Sequence, residues 1–288
     1  MSAPDRSASP AVPVVLLLIA MASLQGGAAL AKILFPAVGA QGTAALRLFF
    51  SALILMPILQ PWRLRLPPEG WRIVALYGLT LGGMNLMFYM AIRTIPLGIA
   101  VAIEFTGPLA VAVLTSRRLL DFGWIALAAA GLLMLLPHGD DLATLDTAGM
   151  LYALGAGICW ALYIVFGQRA GLRYGPRTVA LAAMFAALAV IPFGLASAGM
   201  SLFNATLLPT AVAVAVLSSA LPYGLEVLVL ARLPARTFGT LLSLEPVFGA
   251  IAGLLFLHEA LSVTQWLAVA AIVAASAGIT LTSRRGKR

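Results

Sequence analysis

Ten apolar stretches of about 20 residues run almost end to end through this chain, at 12-32, 41-60, 72-91, 96-116, 121-137, 148-167, 177-198, 208-231, 236-257 and 263-283, and they leave few folds open. About 20 apolar residues are what a helix needs to cross the ~30 Å hydrocarbon core of a bilayer. In that solvent the backbone must satisfy its own polar groups, which favours helices and excludes lipid-exposed irregular chain. Hydrophobic residues make up 62% of the chain and charged residues 10%, against about 25% charge in soluble domains. The reading is an all-α integral membrane protein with ten transmembrane helices.

The stretches form two sets of five. At one offset, 141 residues, Glu104 meets Glu245, Asn85 meets Glu226, Gly83 meets Gly224 and Gly98 meets Gly239. An odd number of crossings per copy turns the second copy upside down relative to the first. The expected organisation is therefore an N-terminal tail (1-11), a first five-helix repeat (12-137), a linker (138-147), an inverted second repeat (148-283) and a basic tail (284-288). An inverted repeat with ionisable groups near its symmetry plane is the pattern of an alternating-access carrier.

The net charge of +8 invites a nucleic-acid reading, but the positions of the cations argue against it. Arg6, Arg63, Arg65, Arg72, Arg117, Arg118, Arg169, Arg173, Arg177, Arg232, Arg236, Arg284, Arg285, Lys287 and Arg288 occupy the N-terminus and every second connection. The other side keeps only Lys32 and Arg93, and the linker with Asp140, Asp141 and Asp146 has no cation. The positive-inside rule then places both termini in the cytoplasm and the linker outside. The basicity is topology and contact with anionic lipid, with no basic surface domain for nucleic acid.

Several chemistries are excluded by missing motifs. There is no Gly-x-x-x-x-Gly-Lys-Ser/Thr phosphate loop. His258-Glu259 begins like a zinc-protease motif, but Ser262 stands where the second histidine belongs. With His138 and His258 as the two histidines, no metal site and no cofactor are expected. An enzyme would have to assemble its residues from distant helices, and a channel would move solute without saturation or coupling. The single cysteine, Cys159, permits no internal disulfide. Val12 to Ala22 followed by Ala29-Leu-Ala31 has the outline of a signal peptide, yet its loss would orphan the repeat partner near Tyr152 to Gly167, so retention is expected.

Charges inside the spans carry the functional signal. At ~2.5–3.5 kcal/mol for each mid-helix charge, Glu104, Glu226, Glu245 and Arg47 together cost roughly 10 kcal/mol unless neutralised, paired or hydrated. They should face an interior cavity. A carboxylate open to each side in turn can carry protons, and a substrate ammonium would compete for it. Glu104 and Glu245 lead because they are repeat-related and mid-helix, while Glu226 lies nearer the cytoplasmic end. Arg47 suits either a substrate carboxylate or an ion pair with a glutamate. Gln25, Asn85, Tyr89 and Tyr163 suit either the cavity wall or helix-to-helix hydrogen bonds, and Lys32 reads as snorkelling to the outer interface.

Prolines stand beside these positions. Pro108, Pro222 and Pro246 deprive the carbonyls of Glu104, Ser218 and Leu242 of their helical donors, which marks hinges or static kinks. Gly78-x-x-x-Gly82 and Gly249-x-x-x-Gly253 mark close helix packing.

The inverted repeat with Glu245-Pro246 in its ninth helix resembles the drug/metabolite transporter superfamily and its EamA branch. Met21-Ala-Ser-Leu-Gln-Gly-Gly27, Gly82-Gly-Met-Asn85, Pro96 to Leu109, Gly167-Gln-Arg-Ala-Gly171 and Leu233 to Thr240 are more specific, and are similar to bacterial threonine and homoserine exporters over about residues 12-283. The resemblance implies a multi-pass carrier of the bacterial inner membrane, a monomer or weak dimer, that expels small amino acids in exchange for protons. An exporter of aromatic amino acids or drug-like cations on the same fold is the alternative. One departure is His258 before Glu259, where the superfamily commonly has glycine.

Overall fold

The computed structural model describes residues 11–114, 119–135, 146–230 and 235–282. The N-terminal tail to residue 10, Arg117, Arg118, His138, Asp140, Asp141, Arg232 and the basic tail lie outside the described residues. Among the described residues all regular structure is helical: α1 (Ala11–Ala31), α2 (Phe35–Leu59), α3 (Pro68–Ile92), α4 (Leu97–Glu104), α5 (Thr106–Leu114), α6 (Leu119–Leu135), α7 (Thr147–Tyr174), α8 (Thr178–Ala198), α9 (Leu208–Ala215), α10 (Leu221–Leu230), α11 (Ala235–Leu242), α12 (Glu245–Leu257) and α13 (Val263–Thr282). A π-helical segment, Val216–Ala220, joins α9 to α10. Among the described residues five segments are long and apolar enough to cross a membrane, namely Val12–Leu59, Pro68–Ile92, Thr147–Tyr174, Thr178–Phe203 and Thr240–Leu257. The chain is a multi-pass membrane protein.

Three stretches expected as single helices are interrupted. The 96-116 stretch breaks at Phe105, 208-231 contains the π segment, and 236-257 breaks at Ser243 and Leu244. A proline follows each interruption by two or three residues. Proline lacks the N–H that would bond four residues back, but in a first turn that N–H has no helical partner anyway. Pro108 and Pro246 occupy the first turns of α5 and α12 and begin those helices, whereas Pro222 follows the π segment with no break in the helical backbone and leaves a carbonyl of that segment without its amide. In α2 the discontinuity falls at Gly39, whose φ of 68° and ψ of 176° suit only glycine.

Lipid tails are as apolar as leucine, so helices here associate through close packing, not through hydrophobic exclusion from water. α3 lies along α7 and α8, α2 along α8 and α9, α1 along α10 and α12, α4 on α12, α4 and α5 on α7, and α6 on α13. Small residues set these distances. A Cβ at Gly78 would stand 2.4 Å from the Cβ of Phe185, one at Gly98 2.5 Å from the Cα of Ala250, and one at Gly107 2.0 Å from the carbonyl oxygen of Gly157.

Both ends of the α3–α7 pair are tied. Asp146 caps α7, accepting from the amides of Ala148 and Gly149 at 3.3 and 3.1 Å. The hydroxyl of Thr94, those two amides and the charge of Arg93 hold its carboxyl below the usual range. At the other end Arg173 Nη1 donates to Glu69 at 2.8 Å in an exposed pair.

Candidate functional site

A cavity of about 390 Å³ lies between the helices. Its wall takes Gln25 from α1, Arg47 from α2, Asn85 from α3, Glu104 from α4, Pro108 from α5, Tyr163 from α7, Glu226 from α10 and Glu245 from α12. Seven of the eight polar positions singled out from the sequence thus converge on one space. Tyr89 does not reach it. Its side chain is fully buried, with its ring 5.5 Å from the Arg47 guanidinium and 6.1 and 6.0 Å from Phe35 and Phe88.

The two repeat-related glutamates are not equivalent. Glu104 is the last residue of α4 and Glu245 the first of α12, so each stands beside a helix interruption instead of mid-helix. Glu245 therefore meets the positive end of a helix dipole and Glu104 the negative end. Both are buried. Among the described residues neither of these glutamates nor Glu226 forms an ion pair.

Arg47 has another partner. The carbonyl of Ser218 should bond the amide of residue 222, but proline has none, and Arg47 Nη2 donates to that carbonyl at 2.9 Å. One residue earlier, the hydroxyl of Ser23 donates to the carbonyl of Leu217 at 2.7 Å. Two side chains from the first half of the chain thereby satisfy the π segment of the second. Such segments recur at functional sites. The expected arginine–glutamate pair is absent among the described residues, and Arg47 Nε is buried without a partner. Asn85 donates to the carbonyl of Leu81 at 2.9 Å, and Tyr163 accepts from the Tyr77 hydroxyl at 3.3 Å.

Some wall residues escaped the sequence reading. Phe105 and Trp160 meet edge to face at 5.5 Å and give the cavity an aromatic side. Nothing separates them in sequence from the lipid-facing aromatics. Lys32 has a partner that the sequence did not show. It does not snorkel alone but pairs with Glu259 Oε1 at 2.5 Å, while Glu259 Oε2 accepts from the Leu97 amide at the start of α4, at 2.7 Å. His258 adopts the left-handed conformation, with φ 57° and ψ 29°. That geometry accounts for the glycine preference expected at this position.

Ionisable side chains around a cavity in a bundle of apolar helices define a transporter of polar solutes. The comparisons agree. Residues 147–281 match the model of the EamA-like transporter family. The chain is 55% identical over 274 residues to the Threonine/homoserine exporter RhtA of Escherichia coli (strain K12), covering 95% of this chain and 93% of that protein. It is 56% identical over the same length and shares to the protein of that name from Salmonella typhimurium (strain LT2). An uncharacterized transporter, YwfM of Bacillus subtilis (strain 168), is 28% identical over 226 residues, 75% of this chain and 76% of that one. A solved crystal structure, 20% identical, shares the fold with a TM-score of 0.61 over 96% of this chain and 100% of its own. The chain belongs to the EamA-like transporter family, and its relatives are named as transporters, not enzymes.

Proposed function

We propose that the protein is a secondary exporter of small hydrophilic amino acids of the threonine and homoserine kind in the bacterial inner membrane, driven by proton exchange through alternating access. The observation that carries this reading is the meeting of three carboxylates and a guanidinium in one cavity without pairing among themselves. Charges kept in a membrane interior for structure alone are expected to be paired. A zwitterionic amino acid needs an anion for its ammonium and a cation for its carboxylate. Glu104 and Glu245, with Glu226 behind them, supply the first, and Arg47 the second. A glutamate that releases the ammonium on one side can return carrying a proton. The names of the relatives support the substrate class.

The helix pairings support two inverted halves, 12-137 and 148-283. With α1 and α7, α2 and α8, α3 and α9–α10, α4–α5 and α11–α12, and α6 and α13 as counterparts, exchanging the halves turns α3–α7 packing into α10–α1 and α5–α7 into α12–α1. The same exchange returns α2–α8 and α6–α13 to themselves. The Glu69–Arg173 end carries the cation-rich connections, which supports a cytoplasmic location for that end and for both termini. The interruptions beside Pro108, Pro222 and Pro246 are the hinges of this scheme.

Transport by the purified full chain in proteoliposomes tests it. Threonine and homoserine should move against their gradients when a pH gradient is imposed and stop when it is dissipated. Movement unaffected by the gradient would remove proton exchange. Movement of aromatic amino acids or drug-like cations in place of threonine would favour the second reading, for which the Phe105–Trp160 wall is suited.

A further inference from the structure

We infer that Gln25 is the residue that recognises the hydroxyl group of the substrate side chain, an assignment that rests on the amino-acid export reading above. Gln25 lines the cavity and is only 4% exposed, yet its Oε1 has no hydrogen-bond partner. A buried acceptor left unpartnered is costly, so such a group in a cavity wall points to a donor that arrives with the ligand. The other orphan atom on this wall, Arg47 Nε, is a donor and matches a carboxylate. The carboxylates of the wall match an ammonium. Those charges engage the part common to all amino acids, and a neutral acceptor is left over for the side chain.

The position fits a molecule of this size. A Cβ at Gly249 would stand 3.6 Å from Gln25 Oε1, so the amide lies against α12 at that glycine. Gly249 follows Glu245 by four residues on the same face of α12, one turn or ~5.4 Å along the axis. Glu245 and the point of α12 against which the Gln25 amide packs are thus one helical turn apart, about the span of one small amino acid, and glycine at 249 lets Gln25 and Val101, both cavity-lining, approach α12 closely. Threonine and homoserine, the two amino acids in the relatives' names, share the side-chain hydroxyl. Their partners without it are valine, in which a methyl replaces the hydroxyl of threonine, and 2-aminobutyrate, in which hydrogen replaces the hydroxyl of homoserine. A site that accepts a hydrogen bond from a hydroxyl excludes such analogues, because they bury the acceptor with nothing to bind.

The test is exchange transport of labelled homoserine, threonine, 2-aminobutyrate and valine by full-length protein in proteoliposomes, comparing wild type with Gln25→Met, which keeps length and removes the hydrogen-bonding group. Wild type should prefer the hydroxylated member of each pair by roughly 10- to 100-fold. In Gln25→Met the ratio should collapse towards one through lost homoserine and threonine transport, with the apolar analogues moving as before. Its melting temperature should be unchanged or higher, since an unpartnered acceptor has been replaced by an apolar group of similar shape. A wild type that moves 2-aminobutyrate as well as homoserine, or a variant that keeps the wild-type ratio, overturns the assignment while leaving amino-acid export standing. Equal loss of all four substrates with a fall in melting temperature shows a structural glutamine and overturns it as well. A wild type that moves none of the four overturns both this assignment and the reading beneath it.

Discussion

The rim of the bundle and its central cavity hold the same kinds of charged side chain under opposite arrangements. At the rim the charges around Lys32 are matched. Lys32 meets Glu259, the second oxygen of Glu259 takes the Leu97 amide, and the Glu259 amide closes α12 by donating to the carbonyl of Gly253 at 3.0 Å. In the cavity the Arg47 guanidinium bonds a backbone carbonyl, and among the described residues the glutamates have no cation in salt-bridge contact. The matched set joins the ends of α1, α4 and α12 and resembles ordinary structural electrostatics. The unmatched set costs free energy in the resting protein, and that cost is relieved only when something charged or protic enters. Charge at a structural position can therefore be told from charge at a transport position by whether its partner is already present.

The largest expected effect breaks the cavity side of this comparison. One proton exchanged per amino acid at a pH gradient of one unit sustains about a tenfold substrate gradient. Glu104→Gln and Glu245→Gln cannot release a proton, and they lower the cost of burial. Both should express and melt like wild type, and in at least one the accumulated gradient in vesicles should fall to unity. Full gradients in both would move coupling to Glu226. Poor expression of either would place that glutamate with the structural charges of the rim.

The rim should respond in the opposite way. Lys32→Met leaves a largely buried Glu259 without its cation and should reduce stability by about 1–3 kcal/mol, discounted for the partial exposure of the pair. Adding Glu259→Gln should recover most of this, because the glutamine still accepts from the Leu97 amide and no charge is stranded. Thermal melts of the single and double variants check the stability, and the substrate preference of the double variant should match wild type. A changed preference would erase the distinction between the two regions.

The smallest effect sharpens the role of Arg47, which belongs to both kinds of site. Arg47→Met strands the Ser218 carbonyl and should lower stability by about 1 kcal/mol in addition to any transport defect. Pro222→Ala supplies an amide at the position where that carbonyl lacks one. In a double-mutant cycle the pair should be coupled by roughly 0.5–1 kcal/mol, with the alanine offsetting part of the arginine's loss. Additive melting shifts would mean that the guanidinium is not substituting for the missing proline amide.

The sequence by itself determined the solvent, the helical class and which polar residues stand inside the apolar runs. Apolar length dictates helices in lipid, the 141-residue offset pairs Glu104 with Glu245, and a charge in an apolar run is too expensive to be incidental. It also located the weak points, since proline removes a specific amide wherever the chain goes. What only the tertiary structure decided is which groups meet. Local chemistry does not say that the carbonyl freed by Pro222 is taken by Arg47, 171 residues away in the chain, that Lys32 finds Glu259, or that Tyr89 supports the arginine from behind while Gln25 faces the cavity. Nor does it mark Trp160 and Phe105 as cavity wall, because an aromatic side chain suits lipid and cavity equally. These pairings depend on how close the helices come, and that is set by the contacts at Gly78, Gly98 and Gly107, each of which needs its neighbour on another helix to be meaningful.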